Sequence, residues 1–416
     1  MLFILFIFVL LYFYYTTEVK KISKYITCAV ELEPAILFCK LLCRLHFLKL
    51  KLCGRLPKLI TITGSIGKSS LLNLIHVMLK DKYKCKKINY NSNKYIQLDI
   101  LNINIRDTRI QKILSCAHTI LFDFTKYDFL LIEVGISEKN DIDKHIELYP
   151  SFISCFTDLD YVHTEGLGDL DGICYEKSKL VNNSKYKIIK NNEIIRKYVE
   201  NVDRIIVSAD EMQYIFREQT MDHFKMNCIY KETNYNICIP NIQKEQFIPI
   251  SYSSLICFCL EIASILKMTN GEVELYLSNY ELPVSRSSLL VTTKNNTILD
   301  GSYNASFKSM IEILNSCITL NKSLNKQIII ILSDIKEMNP LFLNYYREVN
   351  KVINSMTTVE QVVLIGNIIK NYIIHKNIEY YDSTEEFINS NINYQNKLLV
   401  IKGSNYFRLK NIMNYL

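Results

Sequence analysis

Tryptophan is absent from the 416 residues, and glycine and proline are scarce at 11 and 7. That poverty excludes collagen-like and Pro/Gly-rich disordered chains. The 13 cysteines form no C-x-x-C pair and show no metal-finger spacing. Zinc-finger and thioredoxin-type readings therefore fall away, leaving reduced, buried thiols in a cytosolic compartment. No run of Lys or Arg occurs, and the net charge of +7 is spread along the chain. No nucleic-acid partner is expected; anionic substrates or a cytoplasmic membrane face suit such a charge. Internal repeats and low-complexity linkers are also missing. What is present is apolar: 49% of the residues are hydrophobic, enough for cores in two or three domains.

The N-terminus departs from the pattern of a globular domain. Residues 1–15 are almost wholly apolar, and Lys20, Lys21 and Lys24 follow them. About 15 to 18 helical residues rise roughly 23 to 27 Å, slightly short of a roughly 30 Å hydrocarbon core. No basic segment precedes the apolar run and no small-residue cleavage site ends it, so a removable signal is disfavoured. The lysines place the remaining chain in the cytoplasm. The expectation is a transmembrane anchor at 1–18 and a basic apolar helical or interfacial segment at 19–55.

From residue 56 strands alternate with helices. Short β-branched or apolar runs at 58–63, 127–134, 151–157 and 186–190 read as strands, with helices at 68–79 and 172–181. This rhythm predicts a mostly parallel, covered sheet. Residues 210–245 are polar and irregular, with no firm element, and 251–267 reads as an apolar helix. A second α/β rhythm starts near Arg286, with strands at 297–299, 327–332, 361–365 and 397–401, helices at 305–317 and 343–353, and a terminal helix. The predicted architecture is α/β. It has a central domain at 56–284 with a mostly parallel sheet and a C-terminal Rossmann-like α/β domain at 285–416.

The sharpest local signal is Gly64-Ser65-Ile66-Gly67-Lys68-Ser69-Ser70, between a predicted strand and a predicted helix. Glycines let backbone N–H groups approach a phosphate, and the helix N-terminus favours its charge. Lys68 can reach β- and γ-phosphates and Ser69 can ligate Mg²⁺, as in a short P-loop. Glu133 closes a buried strand, where a carboxylate faces the ligand crevice of a parallel sheet. His163 follows the next strand and Lys177 lies on the following helix. Singly, a histidine there is more often structural and a helix lysine more often solvated. Their order behind a phosphate loop singles them out.

In sequence this series resembles the Mur ligase family, from about residue 56 to the C-terminus. Besides the loop, the resemblance rests on Glu133-Val-Gly135, the segment from His163 and Glu165 through Gly172 to Lys177, and Asp300-Gly-Ser302-Tyr303-Asn304-Ala305. Leu332-Ser-Asp334 through Glu337 and Lys402-Gly403-Ser404 complete it. The branch it most resembles adds D-alanyl-D-alanine to a UDP-N-acetylmuramoyl-tripeptide. The resemblance implies a monomeric, ATP-dependent, amide-forming ligase acting through an acyl phosphate, with that precursor and D-alanyl-D-alanine as substrates. It implies Mg²⁺ held by Ser69 and Glu133, with His163 and Lys177 near a second ion. Lys177 would carry a CO₂-derived carbamate, which turns a cation into an oxygen ligand and requires a depressed lysine pKa. Arg286, Asp300 and Asn304 would approach the nucleotide from the C-terminal domain. Some positions depart from the family pattern: Gly301 replaces the second acid of its turn, and Lys179 stands where an acid is usual. Two other readings stay open, a membrane-bound poly-γ-glutamate synthetase-like ligase and a non-catalytic nucleotide-binding membrane scaffold.

Overall fold

The computed structural model describes residues 32–416 apart from 89, 105, 137, 148–150, 163, 207–212, 221, 242–245, 283–284, 337 and 391. The anchor expected at 1–18 lies outside these residues. Among the described residues no helix is long and apolar enough to cross a membrane.

The chain runs from α1 (Leu32–Leu52) through β1 (Lys58–Thr63), α2 (Lys68–Leu79), β2 (Cys85–Lys87), α3 (Asn93–Ile100) and α4 (Arg109–Phe122). It continues through β3 (Phe129–Glu133), α5 (Asp141–Ile146), β4 (Ser151–Phe156), α6 (Thr164–Leu167), α7 (Leu170–Asn182), β5 (Ser184–Lys190), α8 (Glu193–Tyr198) and β6 (Arg204–Ile206). The six strands form a sheet of order β2-β3-β1-β4-β5-β6, parallel throughout. β1 is central, and the chain builds to one side of it before crossing to the other. The end of β1 is therefore the switch point where open α/β sheets bind ligands.

Alternate residues serve opposite faces of this sheet. Ile60 and Ile62 join one core with Leu71, Leu74 and Ile75 of α2, whereas Leu59 joins the other with Leu42 and Phe47 of α1. α1 thus packs on the first domain along one side.

Between 213 and 240, where no firm element was expected, lie three strands. β7 (Gln213–Gln219), β8 (His223–Tyr230) and β9 (Thr233–Pro240) make a three-stranded antiparallel sheet. Phe224, Met226, Cys228, Ile237 and Ile239 point from it into the first core at period two. Interleaved Lys and Asn on the outer face hid that alternation. α9 (Tyr252–Ile265) and α10 (Asn270–Leu277) complete this side of the core.

The second sheet comprises β10 (Ser288–Val291), β11 (Thr297–Gly301), β12 (Gln327–Ser333), β13 (Val359–Ile365), β14 (Ile378–Tyr381) and β15 (Lys397–Lys402). Its order is β10-β11-β15-β12-β13-β14, and only the edge pair β10–β11 is antiparallel. α11 (Phe307–Leu324) and α12 (Tyr346–Ser355) cover one face, and α13 (Thr384–Asn389) lies over the other. The expected terminal helix is instead a pair of 3₁₀ segments, Asn405–Phe407 and Leu409–Tyr415. They follow Ser404, whose hydroxyl accepts from the Tyr406 N–H, and Arg408, left-handed at φ 51°. None of the described cysteines forms a disulfide.

Candidate active site

β1 delivers the chain to Gly64 at φ 138°, and Gly67 at φ 82° hands it to α2. An L-residue is strained at both angles. A Cβ on Gly64 would sit 2.0 Å from Thr157 Oγ1, and one on Gly67 would sit 3.0 Å from Leu255. The loop is clamped by the end of β4. Thr157 Oγ1 donates to Ile66 O at 2.5 Å and Thr63 O at 3.2 Å, and Ser65 N donates to Asp158 O at 2.6 Å. The clamp fixes the loop ahead of α2, whose first turn holds no acid and whose N–H groups open forwards. That is a site for an anionic oxygen group.

Lys68, Ser69, Glu133 and Lys177 converge behind the loop. Lys68 Nζ donates to Gly64 O at 2.8 Å. Ser69 Oγ donates to Glu133 Oε2 at 2.5 Å. Lys177, only 1% exposed, donates to Gly64 O at 3.0 Å. Burial lowers the Lys68 pKa, with Glu133 opposing and Arg286 assisting. Burial also drives the Lys177 pKa well below the ordinary lysine value, and the charge of Lys68 adds to the fall. A lysine pushed down in this way is more often neutral, and so more nucleophilic, than an exposed lysine at the same pH.

The hydroxyl of Ser69 and carboxylate of Glu133 are hard oxygen donors of the kind magnesium accepts. Lys177 fits such an ion only as a carbamate; as an amine it does not. Among the described residues no group of three His, Cys, Asp or Glu side chains could hold a metal by itself. His163, like Glu337, lies outside the described residues.

The second sheet closes the site from the opposite side. Arg286 Nη2 donates to Ser69 Oγ at 3.0 Å, and its guanidinium lies 4.2 Å from the centre of the Tyr303 ring. Ser285 and Ser287, on either side of it, are left-handed at φ 60° and 62°. Such strain in non-glycine residues gathers at functional positions. Asp300 is buried at the end of β11 and accepts from Ser302 N at 2.8 Å. Asn304 is exposed and accepts from Ala305 N through its own Oδ1.

Between the sheets lies a cleft of about 420 Å³, bordered by Ile66, Gly67 and Ser70 on one side and Arg286, Glu312 and Lys402 on the other. It has the size of a small-molecule site. Burial raises the Glu312 pKa and brings that of Lys402 down to about 8, with Arg286 adding to the latter. The two sides also touch directly. Lys308 Nζ donates to Asp158 and to Leu159 O, and Lys308 N donates to Asp160 at 2.9 Å. Lys190 pairs with Asp158 at 2.5 Å. Together the two lysines hold Asp158 below its ordinary pKa although burial pushes it up.

Sequence reasoning missed Thr157, Asp158, Lys190, Lys308 and Glu312. Thr157 ends a predicted strand on the loop's side of the sheet and Asp158 follows it, which is a usable signal. The other three give none until the sheets are placed together.

Part of the chain matches a known family. Residues 62–251 match the Mur ligase middle domain. The chain carries a Mur ligase middle domain. It is 24% identical over 376 residues to the UDP-N-acetylmuramoyl-tripeptide–D-alanyl-D-alanine ligase of Borreliella burgdorferi, covering 86% of this chain and 74% of that protein. To the Bacillus subtilis ligase of the same name it is 22% identical over 317 residues, covering 75% of this chain but only 63% of that relative. Two solved structures share the fold. MurF from Acinetobacter baumannii superposes with a TM-score of 0.72 at 14% identity, over 90% of this chain and 80% of that one. Thermotoga maritima MurF ligase, solved with ADP, gives 0.71 at 15% identity, over 91% and 83%. Over residues 62–251 the Mur ligase reading of the sequence therefore stands, and the α/β fold with parallel sheets stands over most of the chain.

Proposed function

We propose that this Mur ligase chain joins D-alanyl-D-alanine to a UDP-N-acetylmuramoyl-tripeptide-like acceptor at the expense of ATP. The observation that carries the reading is the meeting of Lys68, Ser69 and Glu133 from the first domain with Arg286 from the second, at the mouth of the phosphate loop. The names of the two curated relatives supply the substrates.

In this reading the loop N–H groups and Lys68 cradle the β- and γ-phosphates, and Arg286 adds charge from the second domain. A carboxylate oxygen of the acceptor attacks the γ-phosphorus, and the bond to the ADP oxygen breaks. The resulting acyl phosphate is attacked at carbon by the D-alanyl amine. Its proton goes to solvent as phosphate leaves and the amide forms. The chain's contribution is alignment and charge stabilisation more than covalent chemistry. Magnesium, when bound, neutralises charge developing on phosphoryl oxygens; Ser69, Glu133, His163 and a carbamate on Lys177 would hold it. Asp300 and Asn304 would act from the far side on the nucleotide. The domain division at 284/285, and attachment to the cytoplasmic membrane face through residues 1–18, belong to the same proposal. The apolar run and the lysines behind it support the latter.

The test is phosphate release by the full chain in detergent, with Mg-ATP, UDP-N-acetylmuramoyl-tripeptide and D-alanyl-D-alanine. Release should need both substrates and be lost in Lys68→Ala. Binding of ATP with no release would move the reading to a nucleotide-binding scaffold. Release with a polyglutamate acceptor instead would move it to a poly-γ-glutamate synthetase-like ligase.

A further inference from the structure

α1 has two unlike sides. Leu42, Cys43, His46, Phe47 and Leu50 are buried against the first domain. The side facing away carries Leu41, Leu48 and Leu52, exposed by 50, 52 and 80%. Arg44 and Lys51 lie among them and are also exposed. Positions 41, 44, 48 and 51/52 follow helical spacing, so they form one stripe.

The end of α4 lies beside the last turn of α1. Lys49 ties the two helices by donating to Thr119 O at 2.8 Å and Asp123 O at 2.6 Å, and lies 4.4 Å from the centre of the Phe124 ring. Arg55 donates to Phe124 O at 2.7 Å. Phe122 and Phe124 are 68% and 39% exposed there, beside exposed Lys126. A single exposed leucine carries no message, but a contiguous apolar patch does.

The chemistry selects the occupant. A protein groove for an amphipathic helix would reward the leucines and leave Lys51 and Lys126 without a role. An anionic bilayer surface uses both: apolar side chains enter the acyl boundary while cations meet the headgroups. The chain itself brings this face to a bilayer, because α1 follows directly on residues 1–31, whose first 15 are apolar and whose lysines stand at 20, 21 and 24. We propose that the outer face of α1, with Phe122 and Phe124, lies on the surface of an anionic phospholipid bilayer. It is a second contact beside the N-terminal segment and fixes which side of the first domain meets the membrane. This surface does not depend on the ligase reading.

The absence of tryptophan gives a clean test. Leu52→Trp in the full chain introduces a single indole on the face, and Leu341→Trp, at a 78% exposed position on the second domain, is the control. Both are reconstituted into phosphatidylcholine vesicles with or without phosphatidylglycerol, carrying brominated acyl chains. The indole at position 52 should shift to the blue and be quenched several-fold more than the control in the anionic vesicles. Neutral lipid or high salt should weaken the effect, and so should Lys51→Glu with Lys126→Glu at unchanged melting temperature. An indole at position 52 as unquenched as the control would overturn the proposal. So would equal quenching in neutral vesicles, or a blue shift already present in detergent, which would mean that another part of the chain or a second copy covers the face. Phosphate release in detergent is read separately on the same charge-reversed variant, so loss of lipid contact and failure of the ligase reading give different results.

Discussion

Replacing Gly64 with alanine separates two forces at the phosphate loop. The backbone at Gly64 stands at φ 138°, a region that an L-residue occupies only with strain of about 1 to 3 kcal/mol. The new Cβ would also stand 2.0 Å from Thr157 Oγ1. That hydroxyl cannot swing away freely, because it donates to both Ile66 O and Thr63 O. Displacing it forfeits hydrogen bonding worth about 1 to 2 kcal/mol. The sum is about 2 to 5 kcal/mol, set against the loop conformation that binds phosphate. Gly64→Ala should therefore weaken binding of a fluorescent ATP analogue by at least about 30-fold, with a smaller fall in thermal midpoint if the loop yields locally. Adding Thr157→Ala removes the clash but not the strained angle. The double variant should recover about 1 to 2 kcal/mol relative to the sum of the two single changes. Gly168→Ala is the matched control: φ is 88°, but no atom lies within 4 Å of the added Cβ, so only strain should appear. Parental nucleotide binding and melting in Gly64→Ala, or an equal loss in Gly168→Ala, would refute the reasoning.

Two further outcomes follow from buried bases. His145 is buried with Nδ1 unpartnered among the described atoms, and burial lowers its pKa to about 4. The unfolded chain binds its proton near pH 6.5 and the folded chain only near 4, so stability is complete above 6.5 and lost as pH falls through that window. The loss reaches about 2 kcal/mol at pH 5 and has an upper limit of about 3 kcal/mol; His145→Phe should flatten it in urea titrations at pH 7 and 5, and an unchanged slope would contradict the burial argument. Lys177→Arg keeps a cation but cannot shed its proton. The parent chain in ¹³C-bicarbonate should show a carbamate carbon by NMR, the variant none; a parent without the signal would sink the carbamate.

Much of this was legible in sequence because the relevant forces are local. β1 and α2 appear at the predicted residues, since a β-branched run, two glycines and an apolar helical period leave few alternatives. The convergence of Lys68, Ser69, Glu133 and Lys177 follows from the strand order, which sets the ends of β1, β3 and β4 side by side. The antiparallel sheet at 213–240 escaped because its buried residues alternate with Lys and Asn. The helix expected from 343 starts instead at Tyr346, after a 3₁₀ turn over Pro340–Tyr345, where Asn339 caps and proline fixes the first backbone angle. Contacts across the cleft, such as Lys308 with Asp158 and Asp160, join residues about 150 positions apart and leave no periodic trace.

The serines flanking Arg286 carry one more consequence. Their left-handed backbones aim the guanidinium at Ser69 and over Tyr303. Folding has already confined that side chain, so little rotamer freedom remains to be lost when an anion arrives. Glycine or asparagine should be tolerated at 285 and 287, and valine or isoleucine rejected, even though neither serine need touch a substrate. A library of substitutions at the two positions would thus be sorted by backbone preference rather than by polarity.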